Sequence, residues 1–148
     1  ILSYNRKTGL MRWRANRQVV GEGQRPGSYI MVWIDGKLYS VHRLAFLWVT
    51  GRWPKAKVDH KDRVRSNNKW SNIRDATHSQ NMRNSKNARN NTVGLKGVYF
   101  MRAAKKYRAQ IRTDYGRLHL GLFQTAIAAH RAYNAAAQKY HGDFARVK

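Results

Sequence analysis

Four side chains near the middle of the chain combine groups that hold a hard cation with one that moves a proton. Asp59 and His60 follow Val58, Asn72 comes twelve residues after His60, and Asn81 nine residues after that. Together they look like a metal-dependent centre for phosphodiester chemistry. A lone Asp-His pair carries no such meaning; the downstream amides supply it. For the four to converge, Asp59 and His60 must end a strand, a polar loop must return the chain, and Asn81 must lie early in a helix beside that strand.

The surrounding sequence supplies those elements. Lys57-Val58-Asp59-His60 fits a short strand with Val58 buried, and Lys61 to Ser71 is polar and rich in Arg and Asn, as an ordered or nucleic-acid-contacting loop would be. Asn72 to Ala76 reads as the return strand, and Thr77 or His78 starts a helix carrying Gln80, Asn81, Met82 and Arg83. Upstream, Leu44, Ala45, Leu47 and Trp48 recur at helical spacing from His42 to Val49, and Thr50-Gly51 ends the run. Asp35-Gly36 between Ser28–Ile34 and Lys37–Val41 predicts a tight hairpin. Thr8-Gly9 predicts another, with Leu10 and Trp13 facing a core.

Charge indicates the partner. Lys and Arg number 30 against 7 Asp and Glu, a formal net charge of +23 in 148 residues, and the excess runs through both the first 95 residues and the remainder. Such a chain is built to meet a polyanion, first of all a nucleic acid. Hydrophobic residues at 42% and five Trp exclude a disordered basic tail. The absence of cysteine removes disulfides and thiolate zinc sites. No apolar run approaches the ~20 residues that span a bilayer, so no membrane role is expected, and the lack of cysteine fits an intracellular setting. The first residue is Ile rather than Met, so a processed or partial N-terminus is expected.

Residues 87–95 are polar, basic and Asn-rich, which marks a linker. Beyond it, Gly97–Phe100, Tyr107–Arg112 and Arg117–Phe123 read as three strands. In the second, Tyr107, Ala109 and Ile111 alternate with Arg108, Gln110 and Arg112, placing a basic and amide-bearing set on the face away from the core. Thr125 caps a helix running to about Tyr140, with Ala126, Ala129, Tyr133, Ala136 and Tyr140 on one stripe.

Val41-His42-Arg43-Leu44-Ala45, Val58-Asp59-His60, Asn67-Asn68, Ser71-Asn72-Ile73-Arg74 and Asn81 resemble the HNH endonuclease family, in its phage and intron-encoded homing branch. Gly97-Val98-Tyr99, Tyr107 to Ile111, Leu120-Gly121-Leu122-Phe123, Thr125-Ala126 and Ala132 to Ala137 resemble the AP2 type of DNA-binding domain. The resemblances imply an α+β chain. Residues 1–86 would form a nuclease domain, its ββα-metal core at about 56–86 preceded by hairpins and a helix. Residues 96–148 would form a three-stranded antiparallel sheet on one helix.

The same resemblances imply roles. His60 is the general base, an imidazole being suited to proton transfer near neutral pH, and Asn72 orients it. Asp59 and Asn81 hold one divalent cation, Mg²⁺ first and Mn²⁺ second, because both offer hard oxygen donors. Asn81 stands where the best-known form of the motif has His, which makes Zn²⁺ or Ni²⁺ less expected. Double-stranded DNA is the implied partner, bound by a monomer with no obligate protein partner. The implied contacts are Arg65, Lys86, Arg89, Lys105, Lys106, Arg108, Gln110, Arg112, Arg117 and His119, with Arg suited to guanine and Gln to adenine. The expected reaction is strand nicking that leaves a 3′ hydroxyl and a 5′ phosphate.

Other readings of single residues lie beside these. Asp62 is expected to be structural, His42 to pack or touch phosphate, and His78 to cap locally or touch phosphate rather than bind metal. The five Trp are expected to pack in or at the rim of a core; Trp70, set in the polar loop, is the one for which base stacking is the alternative. The charge alone would equally suit a DNA-binding regulator or architectural protein with an inactive HNH domain, or an RNA-binding protein.

Overall fold

The computed structural model describes residues 1–25, 27–85, 87 and 90–146. Lys86 and Arg89, two of the expected DNA contacts, lie outside the described residues. The chain forms two compact units, Ile1–Asn81 and Met82–Lys148, and is α+β throughout, with small antiparallel sheets and three α-helices among the described residues.

The first unit begins with two hairpins. Strands β1 (Leu2–Tyr4) and β2 (Met11–Trp13) pair with Tyr4 opposite Met11. Alternation places Tyr4, Met11 and Trp13 toward the core, so Met11 takes the position expected for Leu10, which is exposed. Strands β3 (Met31–Ile34) and β4 (Lys37–Ser40) are joined by Asp35 and Gly36, both at positive φ (47° and 74°). Two consecutive left-handed residues turn the chain with the twist the strands need. Helix α1 (Val41–Thr50) follows at once and ends on Gly51, whose φ of 70° lets its N–H reach the Leu47 carbonyl.

Strands β5 (Lys57–His60) and β6 (Ile73–Ala76) form the third pair, in a register that sets Asp59 opposite Arg74 and His60 opposite Ile73. Helix α2 (His78–Asn84) opens on a reciprocal cap: the Thr77 hydroxyl accepts from the Gln80 N–H, and the Gln80 side chain accepts from the Thr77 N–H. One core unites the three hairpins and α1, with Tyr4, Met11, Val20, Val32, Val41, Ala45, Phe46, Val58 and Ile73 in contact. Trp70 packs against it with its ring beside Phe46, in line with the favoured packing reading, and a ring turned to the core is not offered to a base.

In the second unit, β7 (Val98–Met101), β8 (Lys106–Thr113) and β9 (Gly116–Phe123) form an antiparallel sheet with β8 central. Helix α3 (Ala126–His141) is capped by Thr125, whose hydroxyl accepts from the Ala128 N–H at 3.2 Å. Its buried stripe is Ala129, Tyr133, Ala136, Ala137 and His141. His141 replaces the expected Tyr140, because its ring is drawn in by a 2.8 Å hydrogen bond to the Arg112 carbonyl. Of the segment read as a linker, Val93 and Leu95 pack against this unit's core, and the Asn91 side chain accepts from the N–H groups of Val93 and Gly94.

The sheet meets Tyr133 closely at Gly97, which has a φ of 74°. A Cβ there would fall 2.1 Å from the Tyr133 ring and 2.7 Å from the Gln110 carbonyl. Gly97→Ala is expected to destabilise the second unit by about 3 kcal/mol, combining left-handed strain with overpacking. Gly94→Ala, also at positive φ but facing open space, is expected to cost only about 1 kcal/mol. Urea unfolding of the two variants measures the difference.

Candidate active site

The short β5 strand brings Asp59 and His60 to adjacent positions, and both are buried. Their side chains are held from different directions. Arg74, opposite on β6, donates from Nε and Nη2 to one oxygen of Asp59, at 2.9 and 2.7 Å. A buried ion pair of this kind is costly to break from one side, because the remaining charge keeps its desolvation penalty. His60 instead meets the loop, with its Nε2 2.9 Å from Asn68 Oδ1.

The amide in hydrogen-bond contact with His60 Nε2 is that of Asn68, whereas the Asn72 amide contacts Asp62 and Asn67. Asn72 uses its amide within the loop: Nδ2 donates to Asp62 at 2.9 Å and to the Asn67 carbonyl at 2.8 Å, while Oδ1 accepts from the Asp62 N–H. The Asn72 side-chain carbonyl, expected to face the imidazole, faces the Asp62 N–H instead, and the imidazole Nε2 meets Asn68. Asn72 acts one step back, by fixing the turn that presents Asn68. Asp62 completes the same turn, accepting from Val64 N–H and from the Asn67 and Asn72 side chains. Burial works to raise its carboxyl pKa, but these hydrogen bonds outweigh burial and hold it below the ordinary value. The structural reading of Asp62 agrees with this geometry.

Asn68 is 1% exposed, and the N-terminal hairpin fixes it. The Tyr4 hydroxyl donates to the Asn68 carbonyl at 2.6 Å, and burial raises its pKa to about 12, so it stays a donor at neutral pH. At the hairpin turn Gly9 lies so close that a Cβ would fall 2.4 Å from the Lys69 nitrogen and 2.6 Å from the Asn68 carbonyl carbon. The Trp70 N–H also donates to the Arg6 carbonyl. Thr8-Gly9 gave a turn signal in the sequence but no sign of this support.

A cluster of rings borders His60. His42, in the first turn of α1, has its ring centroid 5.1 Å from that of His60, edge to face, and 4.9 Å from Tyr29. Tyr29 is 6.0 Å from His60, and the Arg65 guanidinium lies 5.1 Å from the Tyr29 ring centroid. Among the described residues of the first unit, Arg65 is thus an expected DNA contact that lies beside this cluster. Sequence reasoning missed Tyr29, which carries no motif of its own.

Asp59 and Asn81 offer only hard oxygens, a donor set suited to a partly hydrated Mg²⁺ or Mn²⁺. Among the described residues no three His, Cys, Asp or Glu gather as a ready-made metal cluster. Arg74 already offsets the Asp59 charge. Asn81 is half-buried in α2, and His78 is exposed at the start of that helix.

In the second unit, Arg108, Gln110 and Arg112 do share the sheet face away from Ala109 and Ile111. Gln110 pairs with His119 and Arg112 with Arg117, so all five expected residues lie on one face. A β-bulge at Leu120 in β9, opposite the Ala109–Gln110 step, shifts the later alternation of that strand, turning Leu122 outward beside Arg108 and Phe123 inward to the core. Lys105 sits exposed in the β7–β8 turn at a φ of 49°, and Lys106 opens β8.

With this geometry in hand, the comparison with protein families is informative: residues 39–83 match the family model described as HNH endonuclease. That segment contains Asp59, His60, Asn68, Asn72, Arg74 and Asn81, and it ends before the three-stranded sheet. The chain thus carries an HNH endonuclease domain. No curated protein and no solved structure gives a significant match to the chain.

His42 makes a measurable demand on pH. Burial first, then the nearby His60 and Arg43, lowers its pKa from 6.5 to about 4. The folded state therefore resists protonation that the unfolded chain accepts, so stability is full above pH 6.5 and falls as pH drops toward 4. His42→Phe is expected to remove roughly 2 kcal/mol of the stability lost between about pH 7 and pH 4.5. Urea unfolding of both proteins at the two pH values checks this.

Proposed function

We propose that the protein is a metal-dependent DNA endonuclease of the homing type, which nicks one strand as a monomer at sites selected by its second unit. The observation that carries the reading is the oriented His60 beside Asp59, inside the segment that matches the HNH endonuclease model. A binding protein needs neither an imidazole fixed by a buried amide nor a buried carboxylate next to it.

With Asn68 Oδ1 facing Nε2, the ring's hydrogen sits on Nε2 and Nδ1 is the basic nitrogen. Nδ1 takes the proton from a water aimed at the scissile phosphorus, and the amide contact stabilises the imidazolium that forms. Tyr29 and His42 limit the positions the ring can take. Asp59 and Asn81 would hold the divalent cation. When bound, it offsets charge on the phosphate and on the departing 3′ oxygen. Asn72 keeps the loop in register, and Arg74 fixes the Asp59 carboxylate. The products are a 3′ hydroxyl and a 5′ phosphate.

The second unit supplies selection in this reading, through its resemblance to AP2-type DNA-binding domains and the basic face of its sheet. Arg108, Gln110, Arg112, Arg117 and His119 read bases in the major groove, while Lys105 and Lys106 meet phosphates. Lys86 and Arg89 meet further backbone phosphates, and Arg65 meets one near the cut.

Supercoiled plasmid incubated with the protein and Mg²⁺ is expected to convert to the nicked circle. EDTA should abolish the conversion, and His60→Ala should slow it by about 100-fold or more, the usual contribution of a positioned base, while DNA binding survives. Undiminished metal-dependent nicking by His60→Ala would reject the role of His60. No cleavage by the wild type with any divalent ion would reject the enzyme.

A further inference from the structure

Outside the segment that matches the endonuclease model, the first unit has an open cavity of about 670 Å³ lined by Ser3, Arg12, Trp13, Arg14 and Arg17. Three of the five lining residues are arginines and none is acidic. Among the described residues, no carboxylate pairs with any of the three. Like charges gathered on one concavity repel unless an anion joins them.

The local fold holds this arrangement in place. Ser3 and Arg12 are cross-strand partners on the outer face of the β1–β2 hairpin. Arg12 donates from Nη1 to the Arg17 carbonyl at 2.9 Å, which fixes its guanidinium by one edge. The turn from Trp13 to Gln18 is closed by hydrogen bonds from Arg17 N–H to the Trp13 carbonyl and from Trp13 N–H to the Gln18 carbonyl. That turn puts Arg17 at a φ of 57°, a conformation that costs a non-glycine residue about 1 kcal/mol. Arg14 is steadied by Trp48, with its guanidinium carbon 5.9 Å from the ring centroid. Trp13 is partly buried against the core and also lines the cavity.

We propose that this cavity is a phosphodiester-binding subsite for a nucleic-acid strand. Arg12, Arg14 and Arg17 meet phosphate oxygens, and the Trp13 ring lies against the sugar and base. Planar guanidiniums bind phosphate oxygens in pairs, and an aromatic wall accepts any base. The volume suits a whole nucleotide unit rather than a lone anion. The subsite shares only its polyanion with the proposed function; no part of it depends on cleavage.

The test uses the full chain in EDTA, where cleavage plays no part. Fluorescence anisotropy with a labelled DNA duplex gives the binding constant across a series of KCl concentrations. Arg12→Gln/Arg17→Gln is expected to flatten the log–log salt slope by about 2, since each lost phosphate contact removes about 0.9. At near-physiological salt it is expected to weaken binding about 10-fold or more. Arg12→Lys/Arg17→Lys keeps the charge and should retain most of the slope. Arg25→Gln/Lys55→Gln removes equal charge from exposed positions off the cavity and should change the slope less.

If Arg12→Gln unfolds the hairpin by releasing its hold on the Arg17 carbonyl, Arg14→Gln/Arg17→Gln tests the same cavity without that contact. Equal slopes and affinities for the cavity and off-cavity variants would overturn the proposal. So would displacement of the duplex by inorganic phosphate at matched ionic strength that disappears in the cavity variant, because the site would then be one for a free anion.

Discussion

The contact on which the centre depends is the fixing of Asn68 between His60 and the N-terminal hairpin. Its side chain meets the imidazole, while its backbone carbonyl receives the Tyr4 hydroxyl and lies against Gly9. A loop as polar as Lys61–Ser71 would ordinarily sample many shapes, since ordering each residue costs roughly 1–2 kcal/mol of backbone entropy. Here the cost is met internally by the Asp62 and Asn72 hydrogen bonds and externally by the hairpin. The first hairpin lies far upstream in sequence yet forms part of the framework of the centre.

Electrostatics add a second constraint. The chain carries a large positive excess, but Asp59 and Arg74 form a mutually satisfied pair in the middle of the first unit. Breaking that pair from either side leaves a buried charge and costs several kcal/mol. The pair therefore holds β5 and β6 in the register that sets His60 at the mouth of the loop. The positive surface then acts at longer range, raising the local concentration of a polyanion around a fixed centre.

Much of this was legible in the residues. Asp35-Gly36 gave its hairpin, Thr50-Gly51 the end of α1, and the alternation in β8 the basic face, because each rests on local sterics or on a fixed period. Asn68 was not separable from Asn72: amides in one loop differ only in which way the turn aims them, and that is set by tertiary bonds from Asp62 and Tyr4. Gly9 signalled a turn, while its close approach to the loop backbone involves residues distant in sequence. The bulge at Leu120 left no mark either, although it exchanges the faces of Leu122 and Phe123. The role of Tyr29 beside two histidines likewise follows from packing alone.

The central claim is that Asn68 sets the tautomer of His60, and nitrogen-15 NMR of the labelled imidazoles tests it most directly. In the wild-type protein at neutral pH, the neutral His60 ring is predicted to carry its hydrogen on Nε2, with Nδ1 unprotonated. Asn68→Ala is predicted to lose that preference and give a tautomer mixture. A wild-type ring protonated on Nδ1, or an unchanged tautomer in Asn68→Ala, would contradict the account.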